Sequence, residues 1–204
     1  MGSSQCPFWA RSFFLGGGVL LALLVGIFGR GQRRNSALAS VVVGAVGFQV
    51  FHFLEHALQV GYWVLNPQKK PWFTPWAQKG VDGLAYWCQL WSGKGAARQR
   101  GAELLLLIGN GIFFSGIVAM FVLTRIKSVQ QQSVNVALLF QGLHFIEHTI
   151  LTLTVFVSGT GWGASTMFGC WSGTELSSHR VWWHFTINGI ATAIALVALL
   201  TIYR

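Results

Sequence analysis

Charged residues are scarce in this chain of 204 residues, making up 9% of it, and only five of them are Asp or Glu. Soluble domains carry about a quarter charged residues. Hydrophobic residues make up 53% of the chain. This composition excludes an ordinary soluble domain and predicts a polytopic integral membrane protein, whose main partner is the lipid bilayer.

Cysteine is also scarce, and the three cysteines (Cys6, Cys88 and Cys170) include no Cys-x-x-Cys pair. A zinc or iron–sulfur site built on thiolates is therefore disfavoured. The formal net charge of +9 would indicate nucleic acid as the partner of a soluble protein. In a membrane protein, the positive-inside bias and anionic headgroups explain the charge better, so no nucleic-acid partner is expected.

Five apolar segments are long enough to cross a bilayer, which takes about 20 residues. They cover about 12–29, 36–65, 102–124, 132–158 and 181–203. We therefore predict an all-α fold, a helical bundle of five transmembrane helices that forms a single membrane domain over 1–204. Outer loops are expected at about 67–100 and 159–177.

The short connections set the expected orientation. Basic residues crowd the first and third connections and end the chain, at Arg30, Arg33, Arg34, Arg125, Lys127 and Arg204, whereas 159–177 has no Lys or Arg. The positive-inside rule then places the N-terminus outside and the C-terminus in the cytoplasm. The loop 67–100 has six basic residues although this topology places it outside, so it is an exception to the positive-inside rule. Cys88 and Cys170 both lie outside in this topology, where a disulfide and two separate thiols are equally compatible with the sequence.

The loop 67–100 is rich in aromatic residues, namely Trp72, Phe73, Trp76, Tyr86, Trp87 and Trp91. Trp and Tyr at such places are typical of the headgroup belt. Pro71 and Pro75 interrupt the start of the segment, after which a short amphipathic helix on the membrane surface is expected. The alternative is a contact surface for other membrane subunits, because interfaces also recruit Trp and Tyr.

A motif, Phe-Gln-x-x-His-Phe-x-Glu-His, occurs twice, at Phe48–His56 and at Phe140–His148. Each copy lies in a predicted transmembrane helix. The spacing predicts a parallel internal duplication, with repeat A at about 12–66, repeat B at about 102–158 and an additional last helix at about 181–203.

Each copy of this repeated motif presents two imidazoles and a carboxylate on one helix face. His52 and His56 lie about 40° apart and Glu55 about 60° to one side. Titratable groups at membrane depth are costly and indicate a functional site. The last helix runs in the opposite direction and brings His184 to the same level. The predicted ligand set is His52, Glu55, His56, His144, Glu147, His148 and His184.

The predicted roles follow from side-chain chemistry. Glu55 and Glu147 are expected to bridge metal ions or act as catalytic bases. Gln49, Gln141 and Asn188 lie one turn from the histidines and are expected to support the cofactor by hydrogen bonds. Another carboxylate, Glu103, is expected to pair with Arg98 or Arg100 at the interface.

Three functions are compatible with this site. The first is a membrane metalloprotein that binds one or two transition-metal ions (iron, copper or zinc), acting as an oxidoreductase or as a metal-binding subunit of an oxidoreductase complex. The second is a subunit that ligates haem or chlorophyll through single histidines. The third is a metal or proton transporter. The sequence does not decide whether the protein is itself an enzyme.

Overall fold

The computed structural model describes residues 30–67, 73–92, 97–128, 132–163 and 178–203. All regular structure in these ranges is helical, as predicted. The helices are α1 (Gly31–Leu65), α2 (Pro75–Ser92), α3 (Ala97–Lys127), α4 (Gln132–Ser158) and α5 (Ser178–Tyr203). The predicted span at 12–29 lies outside the described residues, so the expectation of five spans stays a prediction.

Four of the described helices are long and apolar enough to cross a membrane, and these are α1, α3, α4 and the Arg180–Ile202 part of α5. Their bounds follow the hydropathy pattern closely. The α4 bounds agree with the predicted 132–158, whereas α1 begins at Gly31 and α3 at Ala97, earlier than expected. These extra turns are polar or basic, and hydropathy alone does not detect them.

The four long helices form a bundle in which neighbours are antiparallel. Helices α1 and α4 each pack against both α3 and α5. Lys127 of α3 donates a hydrogen bond to the carbonyl of Ile202 in α5 (3.5 Å), and Glu103 pairs with Arg180 near the starts of the same two helices. Helices α3 and α5 therefore run parallel at opposite corners, and α1 and α4 run the other way.

The outward faces of the bundle are apolar. Large exposed hydrophobic side chains include Phe51, Leu54, Leu139, Leu143, Ile146, Leu153, Val197 and Leu200. Amide and imidazole side chains are buried instead, among them Gln49, Gln141, His148 and Asn188. This pattern is the reverse of that in a soluble bundle and suits a hydrocarbon environment.

The bundle interior divides into two halves along its axis. The half nearer Lys127 and Ile202 is filled by an apolar cluster that includes Leu38, Val42, Ile117, Met120, Leu123, Val134, Ala195 and Ala198. A buried hydroxyl in this half, that of Thr124, donates to the carbonyl of Phe121 (2.8 Å). The amide and imidazole groups lie in the other half, nearer the Glu103–Arg180 pair.

The segment predicted as an outer loop at 67–100 contains helix α2. Thr74 precedes it and its hydroxyl accepts a bond from the Ala77 amide (3.4 Å), while Pro75 fits the first helical position because its missing N–H needs no partner. The face formed by Ala77, Val81, Ala85 and Cys88 is buried. Trp76, Tyr86 and Trp87 on the other side are exposed.

Helix α2 packs lengthwise against α3. The two helices are closest at Gly101, where the backbones of Val81 and Ala85 leave no room for a Cβ atom. Cys88 is buried next to Ala85 and Ala97. Burial raises the pKa of the Cys88 thiol, and the smaller effect of Arg100 lowers it. Cys170 lies outside the described residues, so the disulfide and the two separate thiols both stay alternatives.

Candidate functional site

The five histidines of the predicted ligand set meet in the bundle interior. Helix α1 contributes His52 and His56, α4 contributes His144 and His148, and α5 contributes His184. Their ring centroids form a continuous chain, with 4.6 Å from His52 to His56, 5.4 Å from His56 to His184, 5.2 Å from His184 to His148 and 4.7 Å from His148 to His144. The two copies of the repeated motif and His184 thus build one histidine cluster.

Helix geometry explains this convergence. Histidines four residues apart share one helix face, and α1 and α4 run parallel on opposite corners, so their faces meet in the interior. Helix α5 runs in the opposite direction. His184, near the start of α5, therefore lies level with His56, and Asn188 reaches Gln49. His148 and His184 are 0% and 2% exposed, respectively, so water does not reach them in the described arrangement.

Hydrogen bonds behind three of the rings define their tautomers. Each Nδ1 faces an oxygen that can only accept, namely Gln59 Oε1 for His56 (3.0 Å), Glu147 Oε2 for His144 (3.2 Å) and the Arg180 carbonyl for His184 (2.8 Å). The Gln59 amide is oriented by its Nε2, which donates to Glu55 Oε1 (3.3 Å). The proton of each neutral ring is therefore on Nδ1, and a lone pair is left on Nε2.

The Nε2 atoms point towards one another. Those of His52 and His56 are 3.3 Å apart, as are those of His148 and His184. The Nε2 of His144 and the Nδ1 of His148 are buried with no hydrogen-bond partner. An unsatisfied buried polar atom costs about 1–3 kcal/mol. In each close pair one ring donates its Nε2–H to the Nε2 lone pair of the other, whereas the Nε2 lone pair of His144 has no donor.

Among the described residues, no three His, Cys, Asp or Glu side chains already stand as a finished metal site. The pairwise spacing is nevertheless that of ligands. Two nitrogens bound tetrahedrally to one ion at about 2.0–2.1 Å are about 3.3 Å apart, which equals the Nε2–Nε2 distance in both histidine pairs.

The two motif carboxylates lie behind the histidines. Glu55 accepts bonds from Gln59 and from the Thr74 hydroxyl (2.9 Å), which anchors α1 to the start of α2. Glu147 accepts from His144 and from the Trp183 indole N–H (3.3 Å). Neither carboxylate faces the converging Nε2 atoms. Their predicted role as ligands or bases therefore has no support in this arrangement and stays a prediction.

The predicted supporting amides form two matching pairs one turn from the histidines. Gln49 donates to Asn188 Oδ1 (2.9 Å), and Gln141 donates to Asn110 Oδ1 (3.0 Å). Each Asn in turn donates to the carbonyl four residues earlier in its helix. The amides therefore fix the four long helices relative to one another at the base of the histidine cluster. Asn110 was not predicted from the sequence.

Replacing Gln141 with leucine is expected to lower the free energy of unfolding by about 1–2 kcal/mol, because Asn110 Oδ1 loses its donor in a buried position. Thermal unfolding in mild detergent, followed by circular dichroism, measures the change. The control is Thr201→Val, which removes only an exposed bond to the carbonyl four residues earlier. Equal stability of the two variants would contradict the importance of the amide pair.

A buried ion pair closes the end of the histidine cluster. Arg180 Nη1 and Nη2 donate to the two carboxylate oxygens of Glu103 at 2.5 and 2.6 Å, and both residues are buried. The expectation that Glu103 pairs with Arg98 or Arg100 is wrong, since Arg180 on another helix holds both oxygens. Arg180 was missed, although the high cost of an unpaired buried charge requires a partner for Glu103.

Over the residues that the structure describes, the fold and site together define an all-helical protein with four helices able to cross a membrane and a buried histidine cluster at one end. The chain belongs to DUF6008, a family of unknown function, which matches residues 9–204. Comparison with curated proteins and with solved structures gives no match.

Proposed function

We propose that this is an integral membrane metalloprotein whose histidine cluster binds a transition-metal ion through Nε2 atoms. The observation that carries the proposal is that His56, His144 and His184 each have Nδ1–H held by an acceptor behind the ring. Three Nε2 lone pairs then turn inward. The Nε2 atoms of His52 and His148, which lie 3.3 Å from those of His56 and His184, would supply the further nitrogen ligands.

This hydrogen bonding is what metal-binding histidines need. Such residues donate the second ring N–H to a carboxylate, an amide or a backbone carbonyl, which fixes the tautomer and makes the other nitrogen a better ligand. All three kinds of acceptor occur here. We propose that Glu147 orients His144 directly and that Glu55 orients His56 through Gln59, instead of both binding the ion.

The kind of ion follows from the ligand type. Carboxylate bridging favours paired iron or manganese, whereas imidazole nitrogens suit copper, zinc, nickel and iron. With both carboxylates behind the rings, the nitrogen-only set favours copper or zinc. A copper ion would support the predicted role as an oxidoreductase or as a subunit of one, because zinc has no redox chemistry.

The spacing favours a metal ion over haem. Two axial nitrogens of a bis-histidine haem lie on opposite faces of the macrocycle, each about 2 Å from iron and so about 4 Å apart. The Nε2 atoms of both close pairs are 3.3 Å apart, and their rings leave no gap for a macrocycle. Transport is disfavoured because the apolar half of the bundle offers no chain of ligands across the membrane.

We also propose that the duplication relates α1 and α3 to α4 and α5, and not the pairs of helices predicted from the sequence. Two sets of contacts support this. The amide pairs described above match, and a Cβ atom added at Gly189 would lie 3.1 Å from the Phe53 ring, as one added at Gly111 would lie 3.4 Å from the Phe145 ring. Each of these glycines follows an Asn of the amide pairs and precedes an Ile. We also propose the orientation that the positive-inside rule predicts, with the N-terminus outside and the C-terminus in the cytoplasm.

Metal analysis of the purified protein tests the proposed function. We expect about one copper or zinc ion per chain by elemental analysis, and at least a tenfold loss of affinity for that ion in His184→Ala. Glu147→Gln, which weakens the acceptor behind His144, is expected to reduce affinity by about 10–100-fold. Thr201→Val is the control and should bind the ion as the wild type does.

Two results would contradict the proposal. The first is wild-type protein that binds neither copper nor zinc under dialysis against either metal. The second is a strong visible absorbance of a bound haem or chlorophyll, which supports the pigment hypothesis instead. If the ion is copper, a reversible change in its electron paramagnetic resonance signal on reduction tests the redox role.

A further inference from the structure

Arg100 and Gln99, in the first turn of α3, have buried donors that the protein does not use. The Nε and Nη1 atoms of Arg100 and the Nε2 atom of Gln99 are buried and lack a hydrogen-bond partner. The remaining nitrogen of Arg100, Nη2, donates to the carbonyl of Phe156 at 3.3 Å. Two of these three donors are on one guanidinium with a permanent positive charge and the third is on the preceding residue, which suits a group that offers several acceptor oxygens.

No carboxylate of the described residues neutralises Arg100. The ion pairs in that part of the chain are His144–Glu147 and Arg180–Glu103. Asp82, on the adjacent α2, accepts from Gln78 Nε2 (2.6 Å), and Gln78 Oε1 accepts from Arg98 (2.9 Å). The neighbouring arginine is therefore engaged by the protein, whereas Arg100 has donors without acceptors.

The guanidinium lies beside the lipid-facing surface. Its central carbon is 5.5 Å from the centre of the Phe156 ring, and Phe156 and Val157 are 39% and 87% exposed. Arg100 is one turn from Glu103, near the end of a helix of 31 residues that is about 46 Å long. Because a bilayer with its headgroups is about 40–45 Å thick, this end lies at the depth of the phosphates.

We propose that Arg100 and Gln99 bind the phosphate group of an anionic phospholipid at this end of the bundle. A guanidinium offers two parallel N–H groups that match two oxygens of one phosphate, and the Gln99 amide adds a third donor. Such a lipid also accounts for Arg100 among the basic residues of 67–100, which the positive-inside rule leaves unexplained. This site is separate from the histidine cluster and does not depend on the proposed metal.

The lipid that stays bound after purification in mild detergent tests the proposal, with native mass spectrometry as the readout. We expect wild-type protein to retain phosphatidylglycerol in preference to phosphatidylcholine when both are supplied. Arg100→Ala is expected to reduce the retained lipid at least tenfold, and Gln99→Leu at least twofold. Arg98→Ala is the matched control, because it removes the same charge from the same helical turn and should retain the lipid.

Equal losses in Arg98→Ala and Arg100→Ala would overturn the proposal, because they indicate attraction by charge alone. The proposal would also be overturned if the wild type and Arg100→Ala both retain phosphatidylglycerol and phosphatidylcholine in equal amounts. Inorganic phosphate, added to delipidated protein, distinguishes the source of the group. Suppose that phosphate raises the melting temperature of the wild type but not of Arg100→Ala, and that neither lipid is retained selectively. This result would overturn the lipid proposal and indicate that the site binds free phosphate. If Arg100→Ala does not fold, Gln99→Leu decides alone.

Discussion

Replacing Glu103 with alanine is expected to lower the free energy of unfolding by about 3–5 kcal/mol, because it removes the carboxylate that holds both Nη atoms of the buried, charged Arg180 guanidinium. The expected cost is large because the pair is bidentate and both partners are buried. Reversible unfolding of the protein in mixed micelles, followed by circular dichroism, measures the change.

Two variants make this test specific. Asp82→Asn removes a charge of the same sign from an exposed hydrogen bond to Gln78 and is expected to change stability by no more than about 0.5 kcal/mol. The double variant Glu103→Leu/Arg180→Leu removes both charges and should recover most of the loss, because the cost comes from a buried charge that has lost its carboxylate. If Glu103→Ala loses less than about 1 kcal/mol, the buried pair is not the stabilising contact that its geometry indicates.

Replacing Gly116 with alanine is expected to destabilise the protein by about 1–3 kcal/mol, because overpacking forces the helices apart. Gly116 of α3 lies directly against Ala45 of α1, and an added Cβ atom would overlap the Ala45 side chain. Small residues allow helices to approach closely in membranes, where dispersion contacts supply much of the packing energy. Thermal unfolding in detergent measures this loss.

The control for this variant is Gly44→Ala, one residue before Ala45 on the same helix. A Cβ atom at Gly44 meets nothing within 4 Å, so this substitution should be neutral or slightly stabilising, since alanine favours the helix. A similar loss in both variants would show that helix flexibility, and not the contact between α1 and α3, determines the effect. Because α1 carries His52 and His56, Gly116→Ala should also weaken metal binding.

The sequence predicts the helices and the histidine cluster well, for physical reasons that act locally. Hydropathy marks the spans because every membrane helix must be apolar over its length. The spacing of His52 and His56 places both on one face, and the alternating direction of successive spans brings His184 to the same level. The first two of these arguments need only the distance along one helix, and the third adds only the direction of each span.

The structure departs from the sequence interpretation where the contacts are between helices. Arg180 and Glu103 are 77 residues apart in the chain, and no periodicity connects them. The position of Glu147 behind His144 depends on side-chain torsions, which decide whether a carboxylate three residues away reaches the ring nitrogen or the centre of the bundle. Helix α2 is not among the predicted spans because only one of its faces is apolar, and it lies where the sequence predicts a short amphipathic helix.

The division of the bundle into a polar and an apolar half makes the site a dead end. The cluster around Val42, Ile117 and Met120 fills the other half, so we expect whatever reaches the histidines to pass the Arg180–Glu103 pair, which closes this end of the cluster. Protons, and the proposed ion, should therefore equilibrate with a single compartment. A charge moved within it also crosses only part of the membrane field, so the transmembrane voltage should affect its occupancy only weakly.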